Sequence, residues 1–455
     1  MKSSLADIQP WISRAAVAGN RAADASFDGV STDSRQVAAG NLFVALRGER
    51  FDAHDYLADV AAKGVAAVVV ERVPEGLTVP AIVVPDTRIA LGEIAAYWRR
   101  QFSLPVIGVT GSNGKTTVKE MIASILAAAY GADDIMATRG NLNNDIGVPL
   151  TVFRINASYK AAVIELGMNH PGEIAAITAI AQPTVGLVNN AQREHQEFME
   201  SVEAVAKENG SVIQGLPADG VAVFPADDAY TGLWRSFADQ RRTLTFGLSD
   251  DADVTCTYVV NDFGSDLSIT AGEKYFQVKL SAAGVHNVRN ALAATACALA
   301  IGVPEGAIIR GLEAFAPVNG RLQRKTAKSG AMVIDDTYNA NPDSVRAAID
   351  VLSHAAAPRV LVLGDMGEVG NEGPQFHTEI GAYAHERGIE RLLTLGELAR
   401  HAAAAFGAGA QHFDDIDSIN QAAEALVSAG TTALVKGSRF MKMERVVGHL
   451  VNPTQ

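Results

Sequence analysis

The chain has only two cysteines, Cys256 and Cys297, far apart in sequence and set among small or apolar neighbours. That argues against a disulfide framework and for buried thiols in a reducing compartment. An excess of positive charge is also missing: 38 Lys and Arg face 51 Asp and Glu, for a net charge of −13. A nucleic-acid binder would need a basic face, so no nucleic-acid partner is expected. A nucleotide is not excluded, because it needs only a local positive pocket. Long apolar runs are absent as well. The longest, "ALAATACALAIGV" from Ala291, is too short to span a bilayer. The stretch "MKSSLADIQPWISRAAVAG" lacks the continuous apolar core of a signal peptide. Membrane insertion is therefore not expected, and a cytosolic location is. No internal repeat, low-complexity tract or coiled coil is legible. What remains is an ordinary globular composition, 48% hydrophobic and 20% charged over 455 residues. That is enough chain for about three domains.

Strand and helix patterns alternate throughout. "NLFVAL" (41–46) and "VAAVVV" (65–70) read as strands, with a helical "HDYLADVAAKG" between them that stops at Gly64. "AIVVPDTRIALGEIAAYWRRQF" reads as a strand and a helix before Leu104-Pro105 breaks the pattern. From Val106 the order is strand, glycine turn and helix. "AAVIELG" (161–167) and "VGLVNN" (185–190) follow as continuously apolar strands, the signature of a buried parallel sheet. A helix is expected from about Val288, and a second after Pro304, a residue that suits a helix start. After "FAPVNGRLQ" a fresh alternation begins, with strands at "AMVIDD", "RVLVLGD", "RLLTLG" and "TTALVKG". This predicts a separate open parallel sheet of Rossmann type. The expected architecture is three consecutive α/β domains, with boundaries at 1–103, 104–317 and 318–455.

The most specific signal is "TGSNGKTT", which follows the apolar strand "VIGV" and opens a helix. A strand that feeds glycines into a helix leaves several backbone N–H groups pointing one way, and the helix dipole adds to their pull on an anion. Gly111, Ser112, Asn113 and Gly114 form the cradle. Lys115 brings a charge for the outer phosphates, and Thr116 and Thr117 bring hydroxyls, with Thr116 where a phosphate-bound Mg²⁺ would sit. The strict phosphate-loop pattern wants a glycine where Val109 stands, so this is a shorter variant. A nucleoside triphosphate site is predicted. Kinase, GTPase switch, transporter ATPase and ligase all remain open on the turn alone.

Glu165 ends a buried strand, on the side where parallel sheets bind ligands, and is either a Mg²⁺ ligand or a carboxylate with a buried cationic partner. His195 follows the strand end "VNN" in a polar loop and is either a metal ligand or an ordinary polar residue. In "GVHNVRNALAA", Asn287 and Asn290 stand in a first helical turn, and their amides read as helix caps rather than base readers.

"TGSNGKTT", "GNLNNDIGVPLT", "IELGMNHPGEI", "GVHNVRNALAA", "GRLQ", "DDTYNANPDS" and "LGDMGEVG" occur in this order. With "STDSRQVAAGNLFVALRGERFDAHDY" ahead of them, the chain resembles the Mur ligases of peptidoglycan synthesis along essentially its whole length. The resemblance implies an N-terminal uridine-nucleotide-binding domain, a central phosphate-loop-type ATPase domain and a C-terminal Rossmann-like domain. It implies an ATP-dependent carbon–nitrogen ligase with ATP and Mg²⁺ as cofactors and an acyl-phosphate intermediate. "YNANPDS" and "LGDMGEVG" point to the activity that joins D-alanyl-D-alanine to UDP-N-acetylmuramoyl-tripeptide, the last cytoplasmic peptide-adding step, and a monomer is expected.

Carried over by position, the resemblance makes Lys115, Glu165, His195 and Arg321 the catalytic set, with Thr116, Glu165 and His195 on the metal. Asn287 and Asn290 fall near adenine, which reverses the capping reading. Arg321 reaches the phosphates and Asp336 the ribose. Ser31, Asp33, Ser34, Arg35, Phe43 and Ala45 would line the uridine site, and Asn143 and Asn144 would touch the UDP-muramoyl substrate. Tyr338, Asn339 and Asn341 would flank the dipeptide, and Arg439 would capture its carboxylate. The chain departs from the family where a carbamylated lysine is usual, for Asn209 stands there. Lys207 lies two residues earlier, about 200° round a helix, and should face elsewhere. Glu194, Glu197 and Glu208 are the nearby carboxylates that could compensate. Two other readings share part of the pattern. A folylpolyglutamate synthase-like ligase would lack the uridine block, and a nucleotide-gated scaffold would hydrolyse ATP without ligating.

Overall fold

The computed structural model describes residues 1–18, 25–194, 197–261 and 263–452. Three large sheets follow one another along the chain, beside a two-stranded antiparallel pair of Lys2–Ser4 with Ser26–Asp28. The first has five strands in the spatial order Ala16–Ala18, Ala81–Val83, Ala67–Val70, Leu42–Val44, Val30–Ser31. All pairs are parallel except the first. Its central strands bury every residue because helices or loops cover both faces. The helix Thr87–Arg99 starts where the Asp86 carboxylate accepts from the N–H groups of Arg88 and Ile89. The helix expected over 54–64 is split into a short 3-10 turn, Ala53–Tyr56, and Leu57–Ala62.

The second sheet has nine strands, with Val106–Thr110 between Ala161–Glu165 and Val185–Val188, all parallel and fully buried. One edge departs from the expected parallel sheet. Val254–Asn261, Gly264–Ala271 and Lys274–Leu280 form an antiparallel extension. Along Lys274–Leu280 buried and exposed residues alternate, so no continuous apolar run marks this strand. The helix Lys115–Tyr130 packs on Glu305–Ala314 so closely that a Cβ on Gly311 would lie 2.3 Å from the Ile125 Cα. That glycine holds the phosphate-turn helix in place. The second helix follows Pro304, its N-cap, as expected.

The third sheet has six strands in the order Gln323–Thr326, Met332–Asp336, Thr432–Lys436, Arg359–Gly364, Arg391–Leu395, Ala410–Phe413. Only the first is antiparallel. From Arg359 the chain moves outward over two strands and then returns to the other side of its starting strand. That reversal opens a crevice at the carboxyl ends of Arg359–Gly364 and Thr432–Lys436. Among the described residues, no helix is long and apolar enough to cross a membrane.

Candidate active site

The carboxyl ends of the second and third sheets face one another across a cavity of about 1160 Å³. On one side is the phosphate turn. Gly111 and Gly114 have φ of +135° and +82°, conformations that other residues rarely adopt. A Cβ on Gly114 would fall 2.6 Å from Asn290 Oδ1, so the turn needs glycine for space as well as for φ. Asn190 braces the turn: its carbonyl accepts from the Ser112 N–H and its Oδ1 from the Asn113 N–H at 2.8 Å. No side chain caps the helix that begins at Lys115, so its first-turn N–H groups are left for an anion. Lys115 Nζ is held by the carbonyls of Gly111 and Ser112 and by Glu194 Oε1 at 2.9 Å. Thr116 and Thr117 line the cavity beside it.

Glu165 is 2% exposed. Its Oε1 accepts from Thr116 Oγ1 and, at 2.8 Å, from Asn143 Nδ2, while its buried Oε2 has no hydrogen-bond partner. A buried carboxylate oxygen beside a threonine hydroxyl suits a hard cation, so these residues fit Mg²⁺. Thr116 Oγ1 at present accepts from Arg321 Nη2 at 2.9 Å. His195 lies outside the described residues.

Asn287 and Asn290 do not cap their helix, contrary to the first reading of these residues. Asn287 Nδ2 donates to the Ala283 carbonyl, Asn290 Nδ2 to Asn287 Oδ1, and Asn290 Oδ1 accepts from Asn189 Nδ2. This chain of buried amides, led on by Asn189 to the Asn113 carbonyl, ties the helix Val285–Ala300 to the phosphate turn. His286, beside it on the cavity wall, is pushed down to about 4 by burial, with the charge of Lys436 adding to the effect.

The third unit supplies the opposite wall. Arg321 stacks 4.2 Å from the Tyr338 ring centroid, and Arg439 lies 5.8 Å from the same ring. Asp336 is buried and its Oδ2 accepts from Lys436 Nζ at 2.6 Å, while Oδ1 accepts from the Leu322 N–H. Burial pushes the Asp336 carboxyl up, and Lys436 opposes that shift. Asn339 and Asn341 also line the cavity. Asn341 caps the helix Pro342–Ser353 and donates to Asn113 Oδ1 at 2.9 Å, so the third unit touches the phosphate turn directly.

Asn144 lines the cavity and accepts from the Gly147 N–H. Ser31, Asp33, Ser34 and Arg35 sit in the first unit, with Asp33 and Arg35 paired at 2.8 Å. The Phe43 and Ala45 side chains are fully buried in that unit's core, so neither offers a face to a ligand. The helix Val202–Gln214 is in the expected register. Lys207 points outward to Glu203, and Asn209 is buried, accepting from Thr110 Oγ1 at 2.7 Å. Glu208 is not available to a metal, since its two oxygens accept from the N–H groups of Gly172 and Ile174. Glu197 is exposed. Asn189, Lys436 and the loop residue Arg193 escaped the sequence reading, because their partners lie 76 to 186 residues away.

A phosphate cradle in one parallel-sheet unit, met by an arginine and a tyrosine from another, defines an enzyme that uses a nucleotide at a domain junction. The chain belongs to the Mur ligase family. Residues 26–99 match the Mur ligase family catalytic domain, 109–298 the Mur ligase middle domain, and 320–439 the Mur ligase glutamate ligase domain. It is similar to the UDP-N-acetylmuramoyl-tripeptide–D-alanyl-D-alanine ligase of Escherichia coli (strain K12). The two are 41% identical over 429 residues, covering 93% of this chain and 94% of that one. The structure of MurF from Acinetobacter baumannii superposes with a TM-score of 0.92 at 34% identity, covering 98% of both chains. MurF ligase from Thermotoga maritima, solved in complex with ADP, has a TM-score of 0.83 at 27% identity, covering 92% of this chain and 96% of that one.

Proposed function

We propose that this protein uses ATP to join D-alanyl-D-alanine to UDP-N-acetylmuramoyl-tripeptide, acting as a cytoplasmic monomer in peptidoglycan precursor synthesis. The observation that carries the reading is the meeting of Lys115, Thr116 and Glu165 with Arg321 and Tyr338 across one cavity. In our division of labour residues 1–103 hold the uridine end of the substrate, 104–317 hold ATP and 318–455 bring the dipeptide.

A carboxylate is a poor electrophile. Transfer of the γ-phosphoryl group from ATP to the terminal carboxylate of the tripeptide gives an acyl phosphate and ADP. The dipeptide amine, having lost a proton, then attacks the acyl carbon. The tetrahedral intermediate expels inorganic phosphate and leaves the amide. The protein's task is to position three anionic partners and to offset their charge. Lys115 would leave Glu194 for the outer phosphates. The unpaired N–H groups after Gly114 would hold the phosphate chain, and Arg321 would close on it from the third unit. Thr116 and Glu165, with His195, would hold Mg²⁺, which would neutralise phosphate charge. Asn287 and Asn290 would border adenine, and Asp336 the ribose. Ser31, Asp33, Ser34 and Arg35 would receive the uridine part, with Asn143 and Asn144 on the muramoyl part. Tyr338, Asn339, Asn341 and Arg439 would receive the dipeptide.

A coupled assay for phosphate release tests the reading. Release should require ATP, the UDP-linked tripeptide and D-alanyl-D-alanine together, and mass spectrometry should show the joined product. Phosphate release indifferent to the dipeptide would reject it in favour of a nucleotide-gated ATPase.

A further inference from the structure

We propose that Arg193 is a positioning residue that docks the third unit onto the phosphate site and so sets the rate of the ligation described above. Arg193 stands in the loop after the strand Val185–Val188 and does not line the cavity. Its guanidinium binds two carboxylates of the third unit. Nη2 and Nε donate to Asp343 Oδ1 at 2.6 and 3.1 Å, and Nη1 donates to Glu379 Oε2 at 2.8 Å. Its backbone N–H donates to Asp343 Oδ2 at 2.9 Å, and its Cζ lies 5.3 Å from the centroid of the Phe376 ring. Such planar, forked pairing gives orientation as well as attraction, which a lysine cannot reproduce. Glu379 is shared with Arg346 Nη1 at 3.0 Å, so the acceptor is itself held in place.

What Arg193 orients is the start of one helix. Asp343 lies in the first turn of Pro342–Ser353, whose cap Asn341 pairs with Asn113 of the phosphate turn. Tyr338 and Asn339 come just before that cap and line the cavity. The residue after Arg193 is Glu194, which holds Lys115. A few residues on, the Glu197 N–H donates to the Glu368 carbonyl of the third unit. One loop thus grips the phosphate lysine on one side and the third unit on the other. The inference rests on the ligase reading, because the rate it sets is that of ligation.

The test compares the parent protein with Arg193→Ala, Arg193→Lys and Glu379→Gln in steady-state ligation, thermal melting and small-angle X-ray scattering. For Arg193→Ala we expect kcat to fall by about 10²-fold. The KM for the UDP-linked tripeptide and the melting midpoint should stay at the parent values, and the radius of gyration should rise. Arg193→Lys and Glu379→Gln should lie between parent and Arg193→Ala. Parent-like turnover with parent-like scattering in Arg193→Ala would overturn the proposal. So would a lowered melting midpoint shared by all three variants, which would make the contact merely structural. Scattering reads docking without turnover. A parent protein that fails to ligate would therefore sink the ligase reading while the docking role stood or fell separately.

Discussion

The two walls of the cavity are built differently. The central wall is local in its anion-facing groups: Gly111 to Thr117 are consecutive, and strand, turn and helix together create the anion site, braced from outside by Asn189 and Asn190. The third-unit wall is assembled from Arg321, Asp336, Tyr338, Lys436 and Arg439, which share no single element. Its unit reaches the central one through contacts that include Arg321 to Thr116, Asn341 to Asn113, Arg193 to Asp343 and Glu379, and Glu197 to Glu368. A local wall can bind phosphate by itself, whereas a composite wall works only when its unit is docked. In the proposed reading the difference separates nucleotide capture from chemistry.

Lys115→Ala would break the central wall most severely. Ligation should fall by on the order of 10³-fold, because the neutralising charge on the outer phosphates is lost. Calorimetry should show the UDP-linked tripeptide still bound, since we assign its uridine end to the first unit. Equal loss of both would contradict the separation of roles.

The next effect falls on the third wall. Lys436→Met would leave Asp336 buried without its cation, so the unfolding free energy of the third unit should drop by about 3 kcal/mol. Urea titration followed by circular dichroism measures it, and Asp336→Leu with Lys436→Met should recover most of the loss. A drop below about 1 kcal/mol would mean that the site is wetter than its geometry implies.

Arg321→Ala sharpens the comparison by leaving both walls folded. We expect turnover to decrease about 10²-fold while ADP binding, measured by calorimetry, changes little. A variant with normal turnover at saturating ATP and only weaker binding would move Arg321 to the capture side.

The smallest effect concerns Asn209. A buried amide bonded to Thr110 carries no charge to a metal and cannot be carbamylated. Ligation should therefore be indifferent to bicarbonate, and it should need a few-fold higher free Mg²⁺ than a lysine-bearing relative, because a neutral group replaces an anionic ligand. Recovery by bicarbonate after removal of carbon dioxide would show that another lysine fills the role.

Much of this was legible without coordinates, and each part for a local reason. The strand starting at Val106, the helix from Lys115 and the parallel strands ending at Glu165 and Val188 follow from continuous apolar runs and glycine punctuation. The opposite facing of Lys207 and Asn209 follows from helical period alone. The antiparallel extension around Lys274–Leu280 was not legible, because half-exposed strands alternate and leave no apolar run. Nor were the fates of single polar groups. Glu208 satisfies two N–H groups from across the fold, Phe43 is sealed in a core, and the amide ladder from Asn113 through Asn189 to Asn287 has no sequence period. By itself the sequence determined where most strands and helices lie and which glycine turn leaves helix N–H groups open to an anion, since period and glycine act over a few residues. Only the tertiary structure decided which distant carboxylate meets which cation, as with Arg193 and Asp343, because a charge pair depends on the distance between chain segments that packing alone brings together.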